Sequence, residues 1–430
     1  MGGLDEDPFP KTRAERRVKE DLSQPTQRDL PSGLVCPDAA YPTVFVDCTG
    51  ADLRAARAAT VAKVNDALFD ALGQVCPAVR ADRALLKVHI GEPKCTTRMR
   101  PEYAASSVRF LAGQGVGGIV AGDTTVAYSG PRGHRQNPPG DPATYLELAR
   151  RHGWSTSGAA GVPFVVLDRP CSSIAGRFEF AEEERRREAA GEVERFRDFF
   201  LAGGFAAADF VVNHAHLTLH GLAGVAGCVK SVAMGCSSLP GKLRMHQSLL
   251  PRFDVELCAG CARCVESCPE QALDLPEGAP CPTVDPELCI GCGECEAVCV
   301  RRAVALEGED ITDWERGQDT LPLRMADYTL GLMAGRWEST VHVLHLVTIT
   351  ERCDCLDVRQ RPMLERDLGF LVGRNPFAID LMGERMLSEH LPAEAREKLA
   401  PLLQSAAKTA SYVREKYEII PETPVEAVSV

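Results

Sequence analysis

From Pro42 onward the chain alternates short β-branched runs with stretches whose apolar residues recur at helical spacing, the pattern of a sheet covered by helices. Strands are predicted over Thr43–Asp47, Leu85–Ile90, Gly118–Asp123, Phe164–Asp168, Phe210–His214 and Val341–Thr350. Helices are predicted over Leu53–Leu72, Glu102–Gln114, Ala143–His152 and Glu182–Leu201, with a closing helical stretch from Ala393 to Tyr417. Strand and helix taking turns implies an α/β fold with a Rossmann-like, mainly parallel sheet, whose ligands gather at the carboxyl ends of the strands. That rule singles out His89, Asp123, Asp168, His214 and the triplet Cys353-Asp354-Cys355.

One segment interrupts the alternation. Cys258, Cys261, Cys264 and Cys268, then Cys289, Cys292, Cys295 and Cys299, each read C-x2-C-x2-C-x3-C. Three cysteines at this spacing wrap one cubane cluster and the fourth reaches the other cluster. The expected ligation is therefore crossed: Cys258, Cys261, Cys264 and Cys299 for one 4Fe-4S cluster, Cys289, Cys292, Cys295 and Cys268 for the second. Structural zinc takes two pairs of ligands and has no use for the third cysteine of each run. Disulfide frameworks belong to short secreted chains. Pro269 follows Cys268 as in bacterial ferredoxins, whereas Val300 follows Cys299, and Cys281 fits no ligand position.

The chain of 430 residues is too long for a ferredoxin alone. The expected organisation is a flexible tail over 1–33, an α/β domain over 34–253 and 307–430, and between them a two-cluster ferredoxin-like α+β insert over 254–306. Eighteen cysteines without a legible secretory leader suggest a reducing cytoplasm. A net charge of -12 without long single-sign blocks argues against nucleic acid as the main partner. No apolar run is long enough to cross a bilayer, so no membrane partner is expected.

Outside the cysteine runs, 213–248 collects His214, His216, His220, Cys228, Lys230, Cys236, Lys242 and His246 among glycines. A substrate or metal pocket and plain close packing both fit this composition, while no P-loop or G-x-G-x-x-G after a strand is present. Cys353 and Cys355 flank Asp354 at the end of a predicted strand, where alternate residues share a face. They are candidates for a third metal or cluster, for redox-active thiols, or for buried core cysteine. The loop after Asp123 brings Tyr128, Arg132 and His134 together, suited to binding an anion and moving protons. Lys87 and His89 share one face of their strand.

The run Lys87-Val-His89-Ile-Gly91-Glu92, the Asp123 loop, His220 through Lys230, Met234-Gly-Cys236 to Lys242 and His246, the paired cysteine motifs, Cys353-Asp354-Cys355 and Asn375-Pro-Phe-Ala-Ile-Asp380 occur in that order. Together they resemble the iron–sulfur proteins of the domain of unknown function 362 family carrying an inserted two-cluster ferredoxin module. Thr218, Cys228 and Ser231 depart from the family's usual residues. The resemblance implies an α/β fold and redox metabolism.

The leading expectation is an iron–sulfur oxidoreductase. It would take single electrons from an external donor (a ferredoxin, flavodoxin or reductase) through two 4Fe-4S clusters to reduce a small organic substrate in the α/β domain. His220, Lys230, His246 and Tyr128 are the candidate proton donors, with Asp123 beside them. Lys87, His89 and Arg132 are the candidate substrate-binding groups. The alternative is a non-catalytic electron carrier or cluster-assembly partner that docks another protein.

Overall fold

The structure is a computed structural model. It describes residues 42–126, 130–133, 142–169, 183–186, 193–196, 199–221, 223–245, 250–268, 271–286, 288–289, 294–307, 321–419 and 425–430. The expected tail over 1–33 lies outside the described residues. The described residues divide into two compact units, one within 42–245 and 321–430, the other within 250–307.

In chain order the larger unit begins with β1 (Thr43–Asp47), α1 (Ala58–Val75), β2 (Arg83–Lys87), a 3-10 turn (Pro101–Ala104), α2 (Ala105–Gly113), β3 (Gly118–Asp123), α3 (Ala143–Arg151) and β4 (Phe164–Val166). It continues through β5 (Glu183–Arg186), β6 (Phe199–Ala202), α4 (Gly203–Ala206), β7 (Phe210–His220), β8 (Gly224–Ala226), α5 (Cys228–Ala233) and α6 (Leu239–Met245). The smaller unit holds β9 (Leu250–Phe253), α7 (Arg263–Glu266), β10 (Leu273–Asp274), β11 (Thr283–Val284), α8 (Glu294–Val298) and β12 (Val304–Glu307). The larger unit then resumes with α9 (Leu321–Met333), β13 (Thr340–Thr350), β14 (Gly369–Gly373), α10 (Pro376–His390), α11 (Ala393–Leu399), α12 (Ser405–Tyr417) and β15 (Val425–Ser429).

The main sheet runs β15-β1-β14-β13-β7-β2-β3-β4, with β8 folded back on β7. From β13 to β4 every neighbouring pair is parallel, and β14 joins β1 and β13 antiparallel. The expected α/β fold with a mostly parallel sheet is therefore what this chain adopts. Period-two alternation sends Val341, Val343 and Val347 of β13 to a core shared with Val64, Leu68 and Leu72 of α1 and Phe110 and Leu111 of α2. Leu344 and Leu346 point to the opposite core with Ile379 and Leu387 of α10. Helices thus cover both faces, which leaves the strand ends as the place where polar groups gather. Among the described residues no helix is long and apolar enough to cross a membrane.

Three sequence expectations are corrected. Glu182–Leu201 is not one helix: β5 pairs antiparallel with β6, because Phe199 is needed in an aromatic cluster with Phe196 and Tyr328, and tertiary packing overrides helical propensity. The strand predicted to stop at His214 continues to His220, since β13 on one side and β8 on the other keep its backbone paired. His214 is consequently interior to a strand and buried. The closing helical stretch is two helices, α11 and α12, separated by a turn at 400–404.

In the smaller unit the described ends of the two cysteine runs repeat the same local contacts. The amides of Cys258 and Cys289 donate to the carbonyls of Asp254 and Asp285, each at 2.9 Å. The amides of Ala272 and Ala303 donate to the sulfurs of Cys268 and Cys299, each at 3.2 Å. Gln271 and Arg302, before those amides, both take left-handed φ, 52° and 55°, so the turn is the same in both copies.

Candidate functional site

The parallel strands end on a connected set of charges. Lys87, the last residue of β2, places Nζ 3.3 Å from Asp123 Oδ1 at the end of β3 and donates to the carbonyl of Val88 at 2.7 Å. Asp123 Oδ2 is met by His89 Nδ1 at 3.1 Å and Arg132 Nη2 at 3.0 Å. Burial alone would raise the Asp123 carboxyl, but the Lys87 and Arg132 cations and His89 overturn it and hold the group well below the usual carboxylate range. Arg132 also donates to Glu92 at 2.8 Å and to Tyr145 Oη at 3.1 Å. Lys87 and Arg132 therefore hold Asp123 in place, their charges directed at the carboxylates of Asp123 and Glu92 inside a buried network.

Beyond β13 the chain makes a turn that carries Cys353, Asp354 and Cys355. Their sulfurs meet because the turn folds them together, not because they alternate along a strand, which ends at Thr350. The amide of Cys355 donates to Cys353 Sγ at 3.4 Å. Lys230 of α5 places Nζ 3.0 Å from Cys353 Sγ and 3.9 Å from Cys355 Sγ. The Cys355 thiol hydrogen bond lowers the Cys353 thiol most; burial works against it, and Lys230 and His89 add to the lowering, so Cys353 lies well below the usual thiol range. Cys355 moves the other way, because it keeps the shared proton and is buried beside that sulfur. Burial opposes a charge on Lys230, but the paired sulfurs outweigh it and raise its pKa.

Asp354 turns away from the sulfurs. Its Oδ2 lies 2.6 Å from His216 Nδ1, and its Oδ1 accepts from the Cys95 thiol at 3.2 Å. His216 Nε2 donates to the Val347 carbonyl at 2.7 Å. Both ring nitrogens thus face acceptors, which requires an imidazolium paired with a carboxylate. Burial disfavours the His216 charge, yet Asp354 raises its pKa, and His216 in turn overcomes burial to lower Asp354. Asp354 is thus turned from the sulfurs, and Cys353 and Cys355 stand together as a dithiol under the Lys230 ammonium. No group of three metal-binding side chains occurs among the described residues.

The remaining expected residues fall as follows. His220 closes β7, half-buried, with Nδ1 accepting from the Ala223 amide at 3.2 Å. Tyr128, His134, His246 and Cys292 lie outside the described residues. Lys242 is buried with Nζ on Thr124 Oγ1 at 2.6 Å and the Ser237 carbonyl at 2.7 Å, and burial lowers its pKa to about 8. Asp168 accepts from Thr125, amide at 2.9 Å and hydroxyl at 2.6 Å. Sequence reasoning gave no role to Cys95, which meets Asp354 from far along the chain and lies in no motif. Glu92 was visible only as part of a family run.

In the smaller unit a pocket open to solvent is lined by Cys258, Cys261, Cys264 and Cys299, with Phe253, Pro282 and Val304. The fourth cysteine comes from the second run. Such a donor set of thiols suits a cubane cluster, whose ligands sit on separate irons and need not converge as around a single ion.

The sequence profile of the domain of unknown function DUF362 matches residues 84–384. The chain belongs to the DUF362 family. The matched span runs from β2 to α10 and so contains every group of the charged site. No curated protein matches this DUF362 chain.

Proposed function

We propose that this protein is an iron–sulfur oxidoreductase that takes electrons from an external donor, a ferredoxin, flavodoxin or reductase, and reduces a small organic substrate in the α/β unit. The observation that carries this reading is the pocket lined by Cys258, Cys261, Cys264 and Cys299, the crossed set that two adjacent clusters require. Those four residues would hold one 4Fe-4S cluster, and Cys289, Cys292, Cys295 and Cys268 the other. When bound, the clusters supply single electrons. The amides of Ala272 and Ala303 donate to Cys268 and Cys299, and hydrogen bonds to the ligand sulfurs are one of the levers that set a cluster's potential.

The α/β unit supplies the protons and the orientation. Lys230 and His89 flank Cys353 and are the groups able to hold a proton beside it. Asp123 fixes the ring of His89 through Nδ1, and Lys87 and Arg132 keep Asp123 ionised. His216 and Asp354 brace the turn that carries both sulfurs. A carrier that only docks another protein has no need of a buried ammonium over two thiols, and this favours the enzyme reading.

The test is iron and acid-labile sulfide on anaerobically purified protein, with electron paramagnetic resonance after reduction. Two cubanes require about eight irons per chain. Stoichiometric zinc, or an iron content below one cubane, would sink the proposal.

A further inference from the structure

Two sulfurs share one cation at the centre of the charged site. Lys230 Nζ reaches Cys353 Sγ at 3.0 Å and Cys355 Sγ at 3.9 Å, and the Cys355 amide donates to Cys353 Sγ at 3.4 Å. The intervening carboxylate is taken up by His216 and Cys95, so it does not repel a negative charge on the sulfurs at close range. One ammonium compensates one thiolate, which leaves the pair as one thiolate and one thiol, the state in which thiol–disulfide exchange runs. Cys353 is 4 % exposed, whereas Cys355 is partly exposed. An incoming molecule therefore meets Cys355 first, with Cys353 behind it.

The other buried thiols outside the cysteine runs lack this setting. Cys236 has no ammonium within bonding distance of its sulfur, and burial pushes it up to about 12. Cys228 is buried against the Asp380 carboxylate, and both effects raise it. Plain core cysteine is what those two residues are.

We propose that Cys353 and Cys355 form a redox-active dithiol that gives two electrons to a small-molecule disulfide and closes as an intramolecular disulfide. The Cys355 proton first passes along the existing bond to Cys353. The Cys355 thiolate attacks one sulfur of the substrate, R–S–S–R′, forming a Cys355–S–S–R bond and breaking the substrate S–S bond. The departing R′S⁻ takes the proton from Cys353, whose thiolate Lys230 then holds. Cys353 attacks Cys355 Sγ, the protein disulfide forms, and RS⁻ leaves to be protonated from solvent. The substrate gains two electrons and two protons overall, and the dithiol is oxidised by the same amount. A thiol reductant restores it in the assay. Cys355, the attacking sulfur, is itself only partly exposed, which favours a small disulfide over one carried by a folded protein. This inference names the substrate class of the site described above and rests on the proposed function only for its physiological electron supply; the exchange itself needs no iron.

The experiment treats the full-length protein, purified anaerobically, with oxidised glutathione, quenches in acid, blocks thiols with N-ethylmaleimide and digests with trypsin. Cleavage after Arg352 and Arg359 leaves both sulfurs in one peptide. The expected result is that peptide two hydrogens lighter and unlabelled, while Cys228 and Cys236 remain thiols. Cys353→Ser is expected to trap one glutathione on Cys355. Iodoacetamide at pH 7 is expected to alkylate the pair about tenfold faster than Cys228 or Cys236, with that advantage lost in Lys230→Met and largely restored in Lys230→Arg. A doubly labelled peptide from the treated wild-type protein overturns the proposal, as does Cys353→Ser protein that carries no adduct. The wild-type peptide decides the matter even if a variant does not fold. A disulfide formed in protein without iron would leave the inference standing and sink the cluster reading, whereas about eight irons without a disulfide would do the reverse.

Discussion

His214 and His342 lie on adjacent strands yet face opposite sides of the sheet, and neither meets a carboxylate. His214 sits between Ser107 Oγ and His345 Nε2, each at 2.9 Å, and His342 meets the Asn213 amide at 2.9 Å. Burial lowers each to about 3. The unfolded chain takes up these protons near pH 6.5 and the folded chain does not until near pH 3. Their stabilising effect is therefore full above 6.5 and declines as pH falls. Each should cost about 2 kcal/mol between pH 6.5 and 5. Urea midpoints measured across that range should fall, and His214→Asn should flatten the slope; an unchanged slope would count against a neutral His214. His216 behaves oppositely. Its raised pKa stabilises the fold below about 6.5, and the effect is lost as pH rises through the folded value. Asp354 has a lowered pKa, so its contribution is present above about 3.9 and lost as pH falls through its folded value. Asp354→Asn leaves a buried imidazolium unpaired and should destabilise by about 3–5 kcal/mol, measured by the same unfolding. These roles were only partly legible: His214 and His216 stood out in the sequence and His342 did not, and the choice between neutral and charged depends on Asp354 and His345, which are far along the chain.

Helix α5 shows how an element sets the site. It begins where the amides of Cys228 and Val229 donate to the Asp380 carboxylate of α10, at 2.6 and 2.9 Å. It carries Lys230 toward the sulfurs and Ser231 toward Asn213, whose Oδ1 accepts from the serine hydroxyl at 2.7 Å. Gly235 follows directly, and a Cβ there would collide with Cε and Nζ of Lys87 and with the Ser231 carbonyl. Gly235→Ala should therefore push Lys87 off Asp123 and destabilise by about 1–3 kcal/mol, read as a lower urea midpoint. A neutral effect would mean that α5 slides freely against β2. Helix α10 was not among the predicted helices, although its start carries a capping signal: Asn375 accepts from the amides of Phe377 and Ala378 at 3.0 and 3.2 Å, with Pro376 in the first turn. The strands that stand in place of the helix expected over Glu182–Leu201 were not legible, because charged helix formers dominate its local composition while the need for aromatic packing against Tyr328 comes from the sequence beyond β12.

Each unit of the molecule makes its own demand. In the smaller one, the crossed ligation we propose would tie the two cysteine runs together: Cys299→Ser and Cys258→Ser should disturb the same cluster signal, and Cys268→Ser the other. Paramagnetic resonance of the reduced variants tests this, and grouping of Cys299 with Cys289 instead would break the crossed assignment. In the larger one, five parallel strands from β13 to β4 bring Lys87, Asp123 and the Cys353 turn to one end of the sheet.

By itself the sequence determined that the chain is an α/β protein with a mainly parallel sheet, where six of the nine strands of that sheet lie, and which eight cysteines belong to one repeated pattern. Those features are local: alternation, capping and spacing are written in neighbouring residues. It also pointed to Lys87, His89, Asp123, Lys230 and Cys353 as chemistry-bearing groups. Only the tertiary structure decided their partners. That Arg132 serves Asp123 and Glu92, that Asp354 turns to His216, and that Lys230 lies over both sulfurs depends on contacts between residues up to 138 positions apart. Charge state in a buried site follows from who stands within about 4 Å, because burial penalises every unpaired charge and a neighbour of opposite sign reverses the penalty. Sequence order does not carry that distance.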